Sequence, residues 1–502
     1  MNIIQQPLYK MLAVDDEIIF VVEDTNIVAN KVKVKYVAEV YVSSQAGNPF
    51  WLGHPSTAKV ATLKVVPNNA GTGIFDFSRI LEAYVSPDYL GGYTITASNV
   101  DYFTQYNQVD FSDTTPHSIH QIDKWSTNRN SVRLVGFKFY MEFADDFSSA
   151  LQNTSSNFLN SDNFYIHNAT RQEDDTLAID STTGNFGYNY HFNNYVLNGG
   201  TANGKFLSNA PTTQYIGEND FCTLGLFAQS DSGLTALSAG SRLGYFVGLV
   251  GTIPKIRQIN IQFYYNGSTT GSAITYPYDH ANGSVTFNTT NPKAQLQYVG
   301  VGTANIQGAG GSIPASWDYY TVEAQADNGF GSYITVGSTY KFYKQEVCKG
   351  FEKFRLCWLN RLGVWDYYNF TKRNVRKVNS KKETYQQLKG SWNERKYKKY
   401  GHQGGSKTFV ANAKEMITLQ TDFITEEEAA WLEELFTSPD VFVLQERSTD
   451  TSSGTIKNLV NKYVQPCVVT TSSYTRKTTA NDKLKQYTIE IEMSHNKRIQ
   501  KA

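Results

Sequence analysis

The side chains best able to do chemistry in this 502-residue chain are three carboxylate pairs, one histidine pair and four cysteines. The carboxylates are Asp15-Asp16, Asp145-Asp146 and Asp174-Asp175, all direct neighbours in sequence. Glycoside hydrolysis needs two carboxyl groups facing each other across the scissile bond. Adjacent residues of a strand point to opposite faces, so these pairs read as solvated loop acids. His117 and His120, with Asp113 and Asp123 beside them, have the composition of a metal cluster, but nothing in their spacing makes three or four ligands converge, and they read as a surface loop. Cys222, Cys348, Cys357 and Cys467 form no Cys-x-x-Cys pair and have no close histidine, which predicts reduced, buried thiols in or beside sheets. The run containing Gly300, Gly302, Gly308, Gly310 and Gly311 is followed by no Lys-Ser/Thr pair and reads as a flexible loop rather than a phosphate cradle. No Gly-x-Ser-x-Gly supplies a nucleophile elbow. The expectation is a chain that is not an enzyme, with no catalytic residue, metal or cofactor.

The elements around these residues point to strands. Aromatic residues make up 14% of the chain, with 33 Tyr and 29 Phe against five Met, a composition that favours strands and polar loops over helices. The length predicts two to four domains. Formal net charge is zero, 46 Lys/Arg against 46 Asp/Glu, which gives no reason to expect nucleic acid as the main partner. The first residues lack a basic segment followed by an apolar run, so no signal peptide is expected. The longest apolar stretch, 243–254, is broken by glycines and falls short of the roughly 20 residues a bilayer span requires. The predicted fold class is mainly β, with β-sandwich domains and a short C-terminal helix.

Three regions differ in texture. Residues 1–147 carry alternating strand patterns at 17–22, 31–42, 59–66 and 131–143, which fit an immunoglobulin- or fibronectin-like sandwich. Between them, 73–85 reads as a strand running into a helical turn capped by Asp76 or Ser78. Residues 148–330 are rich in Gly, Asn, Ser, Thr and Tyr. Strand anchors at 188–196, 222–228, 259–265 and 284–287 argue for a folded β insertion, whose tyrosines form an adaptable contact surface. Residues 331–502 form a third β domain with strands at 332–343, 351–359, 441–444, 464–469 and 484–493. Its helix, 424–436, opens on a Thr425/Glu428 capping box and turns Trp431, Leu432, Leu435 and Phe436 to one face.

The most informative stretch is 354–370. Phe354, Leu356 and Trp358 alternate with Arg355, Cys357 and Leu359, then Asn360-Arg361-Leu362-Gly363 supplies a turn and Trp365, Tyr367, Tyr368 and Phe370 rebuild an aromatic strand. A basic run, 372–399, follows at once, with 11 Lys/Arg against Glu383 and Glu394. Tyr385, Trp392, Tyr397 and Tyr400 interleave with it as in a single-strand nucleic-acid groove, but a contact arm toward an acidic neighbour is the favoured reading.

These residues carry a resemblance. The order Trp358-Leu-Asn-Arg-Leu-Gly363, Trp365-Asp-Tyr-Tyr-Asn-Phe370 and a Lys/Arg-rich segment resembles the Trp-Leu-Asn-x-Leu-Gly-Gly-x-Asp-x-Phe-x-Phe pattern of tail proteins of phages infecting Bacteroidetes, crAss-like phages among them. Val364 stands where that pattern has its second glycine. The likeness continues through 417–424, the helix ending 435–439, and 464–470 and 487–492. It covers roughly 1–147 and 331–502. It implies a structural virion protein, made in the host cytoplasm and built into the phage tail as a homo-oligomeric ring of the tail, tail hub or baseplate. The implied partners are further copies and other tail, connector or baseplate proteins, with no catalytic residues. The expected interface residues are Trp358, Trp365, Tyr367, Tyr368 and Phe370 of the hairpin, with Lys372, Arg373, Arg376, Lys377, Lys381 and Lys382 of the arm. The alternative is a receptor-binding tail protein that uses 148–330 to attach to a host surface glycan or protein.

Overall fold

A computed structural model describes residues 1–7, 11–43, 57–90, 118–122, 124–127, 130–170, 177–179, 186–188, 195, 197, 204–227, 256–277, 296–327, 332–345, 351–444, 464–473 and 485–498. The fold is mostly β, in several sheets with few helices. The chain divides into two compact units. Met1–Gln345 and the short segment Leu359–Asp366 belong to the first; Glu346–Trp358, Tyr367–Gln445 and Asn461–Ala502 belong to the second.

The first unit begins with two sheets that share one core. One sheet has the strand order Asn2–Gln5, Ile19–Glu23, Thr72–Asp76. The other runs Met11–Ala13, Phe164–His167, Val132–Ala144, Val32–Ser43, Thr57–Val65, so strands from either side of residue 147 lie in one sheet. Phe20 and Phe75 from the first sheet and Phe77 just after it meet Phe137, Phe139 and Phe164 of the second. The Phe77 and Phe137 rings stack at 4.3 Å, within the range where aromatic pairs add to simple burial. Four of the expected strands stand within two residues of their predicted bounds. The N-cap of the helical turn Ser78–Leu81 is Phe77, which makes no side-chain cap bond, so neither Asp76 nor Ser78 holds the cap position; Asp76 Oδ1 accepts the Ser78 N–H at 3.0 Å from just before it.

A five-stranded sheet follows, in the order Thr213–Ile216, Tyr333–Lys344, Tyr319–Asp327, Ile256–Tyr265, Ser268–Pro277. One face is a packed aromatic core of Phe263, Trp317, Tyr320 and Phe342. A three-stranded sheet joins Thr223–Phe227, Leu296–Gly300 and Trp125–Thr127. The glycine-rich run after it is not the flexible loop expected. Gly300 ends a strand and Gly302 precedes the short helix Thr303–Gly308. A Cβ at either glycine would collide with backbone atoms of Ile122, Asp220 or Cys222. Asn305 knits the junction, donating to the Ile122 carbonyl at 2.7 Å and accepting the Cys222 N–H at 2.8 Å. Glycine here permits close approach of backbones rather than mobility.

The second unit is built on an eight-stranded sheet with the order Trp365–Phe370, Phe354–Leu359, Val441–Leu444, Val464–Val469, Thr488–Met493, Gly405–Gln420, Val375–Gln387, and Lys497–Arg498 also paired to Gly405–Gln420. Its helix spans Glu426–Thr437. The predicted capping box is present: Thr425 Oγ1 accepts the Glu428 N–H at 3.2 Å, and Glu428 Oε2 accepts the Thr425 N–H at 2.8 Å. Trp431, Leu432 and Leu435 are buried, as their spacing predicts. Tyr487, Ile489 and Ile491 alternate into the same core.

Candidate assembly surface

The expected interface residues separate into two groups with opposite environments. Trp358, Trp365, Tyr367 and Phe370 are all buried, and Tyr368 is half-buried. As folded, four of these five hairpin aromatics are interior to the chain. The run from Phe354 to Leu359 is buried at every position, the pattern of a strand covered on both sides. Within the second unit, Trp358 packs on Trp431 of the helix at 5.1 Å and Tyr368 approaches the same ring at 6.2 Å. Arg355 is buried with its guanidinium 5.1 Å from the Tyr367 ring and donates to Asn369 Oδ1 at 2.9 Å.

The turn of this hairpin belongs to the first unit. Gly363 takes φ +77°, the left-handed conformation expected of it, and a Cβ would run into the Asn168 carbonyl. Asn360 organises the turn: its Oδ1 accepts the Leu362 and Val364 N–H groups at 3.0 and 3.1 Å, and its Nδ2 donates to the Leu207 carbonyl at 2.9 Å. Val364 packs its methyls where a side chain at Gly225 would otherwise stand. Trp365 donates its indole N–H to the Asp88 carbonyl at 2.9 Å. The Asp88 carboxylate in turn accepts from Ser131 Oγ at 2.5 Å and Tyr298 Oη at 2.9 Å. His167 donates Nε2–H to the Leu362 carbonyl at 2.6 Å, and its Nδ1 lies 3.3 Å from the Ser131 carbonyl. Burial holds the His167 imidazole below its ordinary pKa, against the raising effect of those carbonyls and of Asp88.

His120 is also buried, edge-on to Trp365 at 4.9 Å, rather than on a surface loop. His117, Asp113 and Asp123 lie outside the described residues, as do Asp174, Asp175 and Cys348. Among the described residues no three His, Cys, Asp or Glu side chains cluster as metal ligands. Cys222, Cys357 and Cys467 are all buried. Burial raises the Cys467 thiol to about 12, so it is protonated at neutral pH.

The basic group is the exposed one. Arg373, Arg376, Lys377, Lys381 and Lys382 are exposed and Lys372 is half-buried. Sequence reasoning gave this run no secondary structure, but Val375–Gln387 is a 13-residue strand paired antiparallel with the 16-residue strand Gly405–Gln420. It is the edge of the eight-stranded sheet and is exposed on both faces along nearly all its length. Near the sheet its charges are paired: Arg376 with Glu352 and Glu415, Lys372 with Asp422. Further out, Lys377, Lys381, Lys382 and Lys389 have no carboxylate partner among the described residues.

Among the described residues, the Gly405–Gln420 strand pairs beyond Asn412 with Val375–Gln387 alone, because Thr488–Met493 covers 416–420 and Lys497–Arg498 covers 412–413. The result is a two-stranded arm some 20 Å long at the usual strand rise, with 388–404 as its tip. The tip is a folded knob. Trp392 and Tyr397 meet edge to face at 5.7 Å, the Trp392 indole N–H donates to the Lys389 carbonyl at 2.9 Å, and the Lys398 N–H donates to Ser391 Oγ at 2.9 Å. Gly390, at φ +78°, leaves room for the Tyr397 ring. Around it, Leu388 is 72% exposed, Trp392 69%, Tyr397 54%, Phe409 49% and Tyr385 45%, so the arm presents apolar groups together with its charge.

Three described tyrosines of 148–330 line up with Tyr343 of the following region, and Tyr215 at the end of the row is 55% exposed. Tyr215, Tyr343, Tyr319 and Tyr264 occupy four adjacent strands of the five-stranded sheet in matching register. Tyr264 and Tyr319 stack at 4.8 Å with an 8° interplanar angle, and Tyr319 and Tyr343 follow at 5.1 Å. Their ring faces are turned largely toward one another, the cross-strand packing that stabilises a sheet.

No family model matches the chain, and no curated protein matches it in sequence. Among solved structures, the crystal structure of trypsin-activated α2-macroglobulin from Escherichia coli is 8% identical, over 84% of this chain and 22% of that one, at a TM-score of 0.16. The native conformation of E. coli α2-macroglobulin is 9% identical, over 83% and 21%, at 0.18. The chain spans about a fifth of those proteins, and at such TM-scores the likeness carries no argument.

Proposed function

We propose that this chain is a structural subunit of a bacteriophage tail, a virion protein that joins copies of itself into a ring of the tail, tail hub or baseplate. The observation that carries the reading is the arm. A two-stranded hairpin alone is marginal in water, and this one also exposes a tryptophan, a leucine, a phenylalanine and two tyrosines. A monomer gains nothing from keeping such a group uncovered, whereas a subunit that must grip a neighbour needs a reach of this kind. The Trp358–Phe370 pattern and its continuation through 492 supply the tail context. The buried hairpin then serves as framework and the arm as the contact, which reverses the emphasis the sequence places on the aromatics.

The reading is tested on particles rather than on the isolated chain. Quantitative mass spectrometry of purified virions of the virus that encodes this protein should find the chain at a fixed copy number, and electron microscopy should show antibody to the arm decorating the tail. Absence of the chain from the particles overturns the proposal.

A further inference from the structure

The arm's charge identifies what it grips. The two-stranded segment 382–411 holds seven Lys/Arg against only Glu383 and Glu394. The rest of the chain therefore carries 39 of the 46 Lys/Arg against 44 of the 46 Asp/Glu. A molecule of zero net charge is thus split into a cationic arm and an anionic body. Two arms side by side would repel, and the lysines at 377, 381 and 382 along the open edge of Val375–Gln387 oppose pairing with an identical strand. A second copy's body has the complementary sign.

We propose that the partner of the arm is a second copy of this chain: the two-stranded segment 382–411 lies across the acidic body of its neighbour, Lys381, Lys382 and Lys389 setting the approach and Trp392, Tyr397 and Leu388 of the knob providing the apolar contact. This rests on reading the arm as an assembly device, and it stands apart from tail membership. Charged rim groups govern encounter and salt dependence, while buried aromatics govern residence, so the two sets have separable effects.

The test uses the full chain in solution, by light scattering coupled to size exclusion and by sedimentation across a concentration series. The wild-type chain is expected to form an oligomer of whole-number mass that weakens at least tenfold between 50 and 500 mM NaCl, these being the low- and high-salt arms of an ionic-strength comparison. A variant with 382–411 replaced by Asn-Gly should remain monomeric while keeping the wild-type circular dichroism spectrum. Trp392→Ala with Tyr397→Ala, in a knob with no part in the core, should weaken assembly at least tenfold without shifting the melting temperature. Labelled arm-less chain should still be captured by wild-type chain, since it keeps the acceptor. Assembly of the arm-less variant like wild type overturns the inference. So does a wild-type chain that stays monomeric while its arm binds single-stranded oligothymidylate in 150 mM salt, which would make the arm a nucleic-acid groove. A two-copy particle supports the arm contact and contradicts the ring, so this inference and the ring reading fail separately.

Discussion

Residues 354–370 and 375–420 form consecutive antiparallel hairpins, and they stand in opposite relations to water. The first is buried from Phe354 to Phe370 with Arg361 and Tyr368 partly exposed; the second exposes the whole of Val375–Gln387 except its last residue. Both carry aromatic residues, so aromaticity does not separate them. Covering does. Phe354–Leu359 lies between two strands and under a helix through Trp358, while the outer half of the arm has one partner strand and nothing over either face among the described residues. Burial of aromatics in the first hairpin sets stability, and their exposure in the second leaves stability almost untouched and reserves them for contact.

The largest expected effect breaks the first hairpin. Trp365→Ala removes a 2%-exposed indole and its hydrogen bond to the Asp88 carbonyl. Large-to-small truncation of a buried aromatic costs about 3 to 5 kcal/mol. Chemical denaturation should show that loss in the midpoint with an unchanged slope. A variant as stable as wild type would place Trp365 at a surface and restore the view of this hairpin as an external contact.

Next come the turn residues. Asn360→Ala leaves the buried Leu362 and Val364 N–H groups and the Leu207 carbonyl without their partner, at about 1 to 3 kcal/mol for a buried orphaned group. Gly363→Ala meets both a positive φ and the Asn168 carbonyl, so it should cost more than the roughly 1 kcal/mol typical of Gly→Ala at an incompatible conformation. Thermal melts of the two variants check both figures. The same substitutions at the arm's tip provide the contrast: Gly390→Ala disturbs the knob around Tyr397 and should leave the global melt in place.

Much of this contrast is written locally, and the rest is not. The Thr425/Glu428 capping box, the Gly363 turn and the Tyr487-Ile489-Ile491 alternation are each set by a few neighbouring residues, so they are legible from the chain alone. The arm is not, because Lys, Asn, Ser, Gln and Glu are weak strand formers and Val375–Gln387 becomes a strand only by pairing with residues up to 43 positions away. The packing of Gly300 and Gly302 depends on Ile122, Asp220 and Cys222, far off in sequence. Burial of Trp365 depends on Asp88 and His120 in the same way. An alternating aromatic strand announces that it has a face to bury, but not whether another chain or its own chain buries it.

Acid titration sharpens the first hairpin further. His167 is fully buried and its folded pKa lies below the unfolded value near 6.5, so the unfolded chain binds the extra proton. Stability is therefore complete above about pH 6.5 and is lost as pH falls toward the folded pKa, with a slope of at most about 1.4 kcal/mol per pH unit for one proton. Arg133 and the Asp88 carboxylate are the charged groups in the same cluster, and Asp88 favours the imidazolium without overcoming burial. The exposed Asp146 carboxylate, lowered to about 2 by bonds from Ser148 and Ser149, acts in a separate window below about pH 4. Denaturation at pH 7.5, 6.0 and 5.0 should show a decline that His167→Gln flattens. A decline unchanged in that variant would assign the acid sensitivity to other groups.

The smallest expected effect belongs to the arm and is the sharpest test of the comparison. Trp392 sits 69% exposed, touching Tyr397 and donating to a neighbouring carbonyl of its own loop. Its removal exposes no cavity and orphans no buried group, so Trp392→Ala should change the unfolding free energy of the dilute chain by no more than about 0.5 kcal/mol, the range of ordinary surface substitutions. Trp365→Ala and Trp392→Ala are the same chemical change 27 residues apart, one expected to cost several kcal/mol and the other close to none. At concentrations where copies associate, the order of importance reverses, because the first indole has already been buried by its own chain and the second has surface left to bury. A Trp392→Ala loss as large as that of Trp365→Ala in the dilute chain would mean the knob folds back on its own molecule, and the arm would then be part of the core.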